Sequence, residues 1–307
     1  MTEFELVDPP PDDARVPALA QGLGVPGIVD IHVHLLPRRL QARIWAYFDS
    51  AGPLLGRPWP IRYRWALPDL VAHLRTMGVL RFSTMPYAHK PGMAANLCRH
   101  SLSLAEQYRD VLATLTFFPE PDATTYVADS LAAGARVAKV HLQGGGFDPR
   151  EPVLDPVWGL LADAGIPVVI HAGSGPMPGR FTGPTPLGQV LARHPNLVAV
   201  IAHLGAPETS GFLDLVESRE NTYLDTTMSF TAFLNEMHRV SDAEVERLAA
   251  VGDRVLFGSD FPSIPYPYAH AVEALVDLGL SHDWLRGVLW GNAARLLGLT
   301  ALDSSVA

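Results

Sequence analysis

The sequence holds a single cysteine, Cys98, among 307 residues. A disulfide within the chain is therefore impossible, and a cysteine-built zinc site is excluded. Cys98 reads as a small buried hydrophobe on a helix, and so few thiols suit a reducing cytoplasm. Charge is scarce as well: Asp, Glu, Lys and Arg make up 18% of the residues against 48% hydrophobic ones, enough apolar material for a substantial core. Positive charge is the scarcer sign. A net charge of -9 offers no field to gather phosphates, so general nucleic-acid binding is not expected. No run of about 18 apolar residues occurs, so no membrane span is expected. The first residues, MTEFELVDPPPDDARVP, have neither the basic nor the apolar region of a signal peptide.

What is present is a repeated alternation. Short apolar, β-branched runs are each followed by a polar or Gly/Pro loop and then by a stretch of helical period. Eight such runs occur: 27–34 (GIVDIHVH), 79–85 (VLRFSTM), 111–118 (VLATLTFF), 136–142 (RVAKVHL), 167–172 (PVVIHA), 197–204 (LVAVIAHL), 222–226 (TYLDT) and 254–260 (RVLFGSD). The helical stretches include 68–77, 94–108, 155–164, 186–193, 241–250 and 268–278. Gly78, Gly134 and Gly165 stand where helices should stop. Alternating strands and helices imply parallel βαβ units, and eight of them imply an α/β fold of the (β/α)8 TIM-barrel type. An open doubly wound sheet would want a glycine-rich phosphate loop after the first run, and none is there. The glycines of HLQGGGFDP lack the GxGxxG spacing. Residues 1–26 read as an N-terminal arm without a packed element, 27–299 as one barrel domain and 300–307 as a tail. The amphipathic stretch 284–299 should close the bottom or side of the barrel.

Five of the twelve histidines fall at or near the C-terminal ends of these runs: His32 and His34, His141, His171 and His203. Asp260 ends the eighth run. In a barrel those ends converge on one mouth, where active sites form. His32 and His34 are two apart on a strand, so both should face the interior. With His171 and Asp260 they offer three imidazole nitrogens and a carboxylate, a set suited to a divalent cation: Zn2+, or else Mn2+ or Fe2+. His203 could be a further ligand or a general acid/base beside the metal, and the second role suits it better. Lys139 and His141 share a face of the fourth run and are candidate substrate-binding groups. A buried lysine in such a mouth could hold a substrate carboxylate, become a carbamate bridging two metals, or pair with Asp225 or Glu120.

An insertion follows the first run. Residues 35–66 carry Arg38, Arg39, Arg43, Arg57, Arg62 and Arg64 with only Asp49 opposing, and Trp45, Trp59 and Trp65 lie among them. Leaving the barrel at its mouth, this segment could fold over the site as a lid whose arginines, Arg62 and Arg64 first, bind a small anionic substrate. The same residue types also suit the interface of a homodimer. The aromatic loops 226–238 and 261–270 are further candidates for specificity.

VDIHVHLLP, VVIHAG, AVIAHLG, VLFGSDFP and GNAARLLGL, in that order, resemble the amidohydrolase superfamily over about residues 27–299. The branch they resemble is the amidohydrolase 2 branch, which includes the aminocarboxymuconate-semialdehyde decarboxylase relatives. The resemblance implies a (β/α)8 barrel with His32, His34, His171 and Asp260 as metal ligands and His203 acting beside them. The KVH of the fourth run looks more like hydrolytic members than like the decarboxylases. The resulting expectation is a cytoplasmic metal-dependent hydrolase. It would use a metal-activated water on an amide, lactone or related carbonyl of a small carboxylate-bearing substrate, with His203 and Asp260 as catalytic residues. The alternative is non-oxidative decarboxylation of an aromatic or unsaturated carboxylic acid. A catalytically silent metal- or ligand-binding barrel is a third reading, against which the complete set of ligands and base argues.

Overall fold

A computed structural model describes residues 8–300. Its strands are β1 (Ile28–Asp30), β2 (Val79–Phe82), β3 (Thr114–Thr116), β4 (Val137–His141), β5 (Val168–His171), β6 (Ala199–Ile201), β7 (Thr222–Asp225) and β8 (Val255–Leu256). All pairings are parallel, and β3 to β8 form one sheet in sequence order. A bridge between Phe82 and Val111 joins β2 to the β3 side. The first and last strands meet through Ile31 N donating to Phe257 O at 3.0 Å and Asp260 N to His32 O at 2.9 Å. The eight strands thus close into a barrel, as the alternation of runs implies.

Alternation along the strands decides what faces inward. Val137, Val169, Val200 and Leu256 fill one apolar cluster inside the barrel with Val29 and Ile31. Val168, Ile170, Ala138 and Val140 instead join the larger core between strands and helices. Both faces are therefore buried, which is why these runs are apolar without interruption. Because side chains repeat every second residue, Lys139 and His141 follow Val137 inward, and His171 follows Val169.

The helical stretches lie where expected, with Gly78, Gly134 and Gly165 taking φ of 74°, 95° and 64° at their ends. Ser241 forms a capping box with Glu244. The stretch 284–299 is not one helix. His282–Arg286 and Asn292–Leu297 are separated by a π turn over Gly287–Gly291. Ala293 and Leu297 pack into the interior cluster, closing its lower end. The wider turn accompanies the docking of Asn292, whose Nδ2 donates to Gly252 O at 2.7 Å and Val255 O at 2.8 Å.

Residues 1–26 require a correction. Pro11–Arg15 is a 3-10 turn and Val16–Leu23 an α-helix, with Val16, Ala20 and Leu23 buried. Pro11 and Pro17, which read as loop markers, occupy first-turn positions, where the missing N–H costs nothing. Buried Asp13 accepts from Tyr63 Oη at 2.6 Å and Ala269 N at 2.9 Å, which pins this segment to the barrel. Residues 1–7 and 301–307 lie outside the described residues. Among the described residues, no helix is long and apolar enough to cross a membrane.

Candidate metal centre and cavity

Beyond Asp30 the chain leaves regular strand geometry, yet His32 and His34 both reach one cavity of about 500 Å³ at the C-terminal mouth of the barrel. Their ring centroids are 5.2 Å apart. The backbone of this segment is fixed by His34 N donating to Phe261 O at 2.7 Å and Leu35 N to Thr84 O at 3.1 Å. Gly258 makes room for the approach of β8: a Cβ there would stand 2.1 Å from Thr227 Oγ1 and 2.8 Å from the His32 Cβ. Asp260 and His203 take φ of 70° and 56°, a left-handed backbone that costs a non-glycine residue about 1–2 kcal/mol. Met228, which also lines the cavity, has φ of 58°, and strain of this kind, held at three residues of one cavity, points to a functional site.

Each ring is oriented by what its other nitrogen does. His32 Nδ1 lies 2.8 Å from Asp225 Oδ2, and His34 Nδ1 lies 2.9 Å from the Met85 carbonyl. Each Nδ1–H is the donor, so each Nε2 is left with its lone pair. His34 Nε2 is 2.9 Å and His32 Nε2 3.6 Å from Asp260 Oδ1. Ligand atoms of His32, His34 and Asp260 all lie within 4.8 Å of one another. An imidazole nitrogen and a carboxylate oxygen this close share either a proton or a cation. Burial, reinforced by Lys139, lowers the His32 pKa to about 4 despite the opposing pull of Asp225. Burial alone would raise Asp260, but the hydrogen bond and charge of His34 outweigh it and hold the carboxyl well below its usual range. Two lone-pair nitrogens and a charged carboxylate fit a divalent cation.

His171 stands apart from this trio. Its Nε2–H donates to Gly175 O at 2.8 Å, and its ring stacks on His141 at 3.8 Å and 10°. It lines the same cavity and keeps Nδ1 as a free donor atom, but only three of the four expected ligands are gathered. Burial and the neighbouring His203 lower its pKa to about 3. His203 packs edge-on to His32 at 5.1 Å and to His171 at 4.8 Å. Its Nδ1–H points to Thr227 O at 3.2 Å, so Nε2 carries the lone pair. Burial lowers its pKa to about 4.

Lys139 is fully buried on the cavity floor, with Nζ donating to His32 Nε2 at 3.1 Å. Burial lowers its pKa to about 8, against the opposing charges of Asp225 and Asp260. Neither Asp225 nor Glu120 forms a direct ion pair with it among the described residues. Asp225 serves the histidines instead: Oδ1 accepts from His203 N at 2.8 Å and Thr227 N at 3.1 Å. Sequence reasoning missed that role. Its signal was an aspartate near the C-terminal end of the seventh run, close to the level of the ligands on the other strands. His141 lines the cavity, with Nδ1 accepting from Gly144 N at 3.0 Å.

Arg62 and Arg64 are not among the lining residues. In IRYRW, alternation buries Ile61, Tyr63 and Trp65 and turns both arginines outward. Arg62 Nε donates to Pro265 O at 3.3 Å, and Arg64 pairs with Asp49 at the surface. The insertion supplies the cavity with apolar wall instead, through Leu36, Ile44, Phe48 and Trp59. From the loop 226–238 come Met228, Leu234, Met237 and His238.

Comparison with known proteins agrees with this geometry. The family model described as Amidohydrolase matches residues 29–299. No curated protein matches the chain. Among solved structures, an uncharacterised TIM-barrel protein from Bordetella bronchiseptica superposes with a TM-score of 0.72 at 20% identity, covering 89% of this chain and 99% of that one. A 5-carboxyvanillate decarboxylase from Novosphingobium aromaticivorans, complexed with manganese, superposes with a TM-score of 0.60 at 15% identity, covering 90% and 97%. A probable 2-pyrone-4,6-dicarboxylic acid hydrolase from Acinetobacter baumannii gives a TM-score of 0.59 at 14% identity, covering 89% and 99%. At these identities the likeness is one of fold.

Proposed function

Because the chain belongs to the amidohydrolase family, we propose that it is a metal-dependent hydrolase of a small amide, lactone or related carbonyl compound. The observation that carries this reading is the grouping of His32, His34 and Asp260 beside the free Nε2 of His203, on the floor of one apolar-walled cavity. His32, His34 and Asp260 would hold the cation, with His171 Nδ1 the remaining imidazole donor on the floor. The donor set suits Zn2+ or Mn2+. When bound, the cation supplies Lewis acidity to a coordinated oxygen and lowers the pKa of water.

The residues do the rest. His203, neutral at working pH, takes a proton at Nε2 and returns it to the leaving nitrogen or oxygen. The buried Lys139 ammonium stabilises negative charge developing on the carbonyl oxygen. Asp225 keeps His32 in the tautomer that offers Nε2. Phe48, Trp59 and Leu234 exclude water and contact the substrate's apolar body.

Decarboxylation is the second reading. It is favoured by the aromatic wall of Phe48, Trp59 and Tyr87, which suits a flat ring, and by decarboxylases among the structural neighbours. Metal-loaded protein should be offered a panel of esters, lactones, amides and aromatic acids, with acid and CO2 release recorded separately. Acid release without CO2 supports the hydrolase. CO2 release from an aromatic acid, with no turnover of any ester, lactone or amide, overturns it.

A further inference from the structure

The chemistry of the cavity is divided between floor and wall. His32, His34, Lys139, His203 and Asp260 make the floor, and the wall is mostly apolar. Among the described lining residues, the one charged side chain away from that floor is Glu208, and no arginine lines the cavity at all. Glu208 follows β6, just after Pro207. Its Oε2 accepts from Ser174 N at 3.0 Å, which ties it to the loop after β5. Among the described residues, no lysine or arginine pairs with it. A half-buried carboxylate facing an apolar cavity keeps unused acceptor capacity, and desolvation by a bound ligand would penalise it unless the ligand brings a donor.

We propose that Glu208 selects substrates bearing an amine, as ammonium, in the part of the molecule that lies against the loops after β5 and β6, and rejects a carboxylate there. This rests on the hydrolase reading and names its substrate class. It reverses the anionic substrate expected from Arg62 and Arg64, which lie outside the cavity. An ammonium meets Glu208 in a charge-assisted hydrogen bond, whereas a carboxylate meets like charge.

The test is calorimetric and needs no turnover. Three benzohydroxamic acids, substituted in the para position by aminomethyl, methyl or carboxyl, share the same metal-seeking group. Each is titrated into zinc-loaded protein and into zinc-loaded Glu208→Gln. The glutamine keeps an oxygen for Ser174 N and removes the charge. The aminomethyl compound is expected to bind about tenfold tighter than the methyl one, and the carboxyl compound weaker than either. In Glu208→Gln the aminomethyl advantage should fall to within about twofold while methyl binding stays unchanged. Equal binding of aminomethyl and methyl compounds, or a preference that survives in Glu208→Gln, overturns the proposal. Failure of even the methyl compound to bind removes the metal-site reading beneath it, and the proposal falls with it. Binding in the expected order without turnover of any amine-bearing ester or amide would count against the hydrolase and leave the selectivity standing.

Discussion

Asp225 governs which nitrogen of His32 is available. Its two oxygens are committed, one to backbone N–H groups of His203 and Thr227, the other to His32 Nδ1–H. In Asp225→Asn the amide oxygen must stay with the two backbone donors, which turns the NH2 toward His32 Nδ1. The ring then moves its proton to Nε2 and loses its lone pair for the cation. Metal affinity is expected to fall about 10- to 100-fold, read by competition with a chromogenic chelator. Unchanged affinity would show that His32 is not held through this tautomer. His203→Gln should differ in kind: the metal stays, and kcat falls about 10²- to 10⁴-fold on whatever substrate is found. Loss of metal in that variant would make His203 a ligand. Most of these residues were legible in the sequence, because histidines at the ends of several strands share one mouth in a barrel. Glu208 and the outward turn of Arg62 and Arg64 were not. Glu208 depends on which face of a loop is buried, and that loop carries no period to reveal it; the arginines do sit in an alternating stretch, IRYRW, but it lies outside the eight runs, where a period of two was not expected.

Among the elements, the strands were legible as runs and their ends were not. The run 27–34 holds regular strand geometry only to Asp30, and 254–260 only to Leu256. The residues beyond, no longer in regular strand, include His32, His34 and Asp260, which line the cavity. The N-terminal helix was missed because its first-turn proline resembles loop punctuation, and the π turn at 287–291 because the apolar period runs on through Gly287 and Gly291, the two glycines that bracket it. The join of β8 to the first strand rests on Gly258. Substitution by alanine would drive a methyl into Thr227 and the His32 Cβ, both well-packed neighbours. Gly258→Ala should cost about 2 kcal/mol or more by urea denaturation and displace His32, so that metal binding weakens too. A variant of native stability and metal content would contradict the packing described for this junction.

For the whole molecule, burial of the site has a pH consequence. His32, His203 and His171 have pKa values lowered to about 4, 4 and 3, and His141 lies well below its usual value, each with burial as the largest cause. The unfolded chain takes those protons near 6.5. Stability from these groups is therefore fully present above about pH 6.5 and is lost as pH falls toward 4. Asp30 acts in the opposite sense, since burial raises its pKa to about 6, but it is one group against four. The Tm of metal-stripped protein should fall steadily between pH 7 and pH 4.5. A flat or rising Tm would mean that these rings are not held neutral in the fold.

The central claim is that the barrel mouth holds a divalent cation on His32, His34 and Asp260. Its most direct test is elemental analysis of untagged protein purified without chelator, beside His34→Ala prepared in the same way. About one zinc or manganese per chain, with most of it lost in His34→Ala, is the expected result. A content near zero that added metal cannot restore, or full occupancy in His34→Ala, would contradict the account.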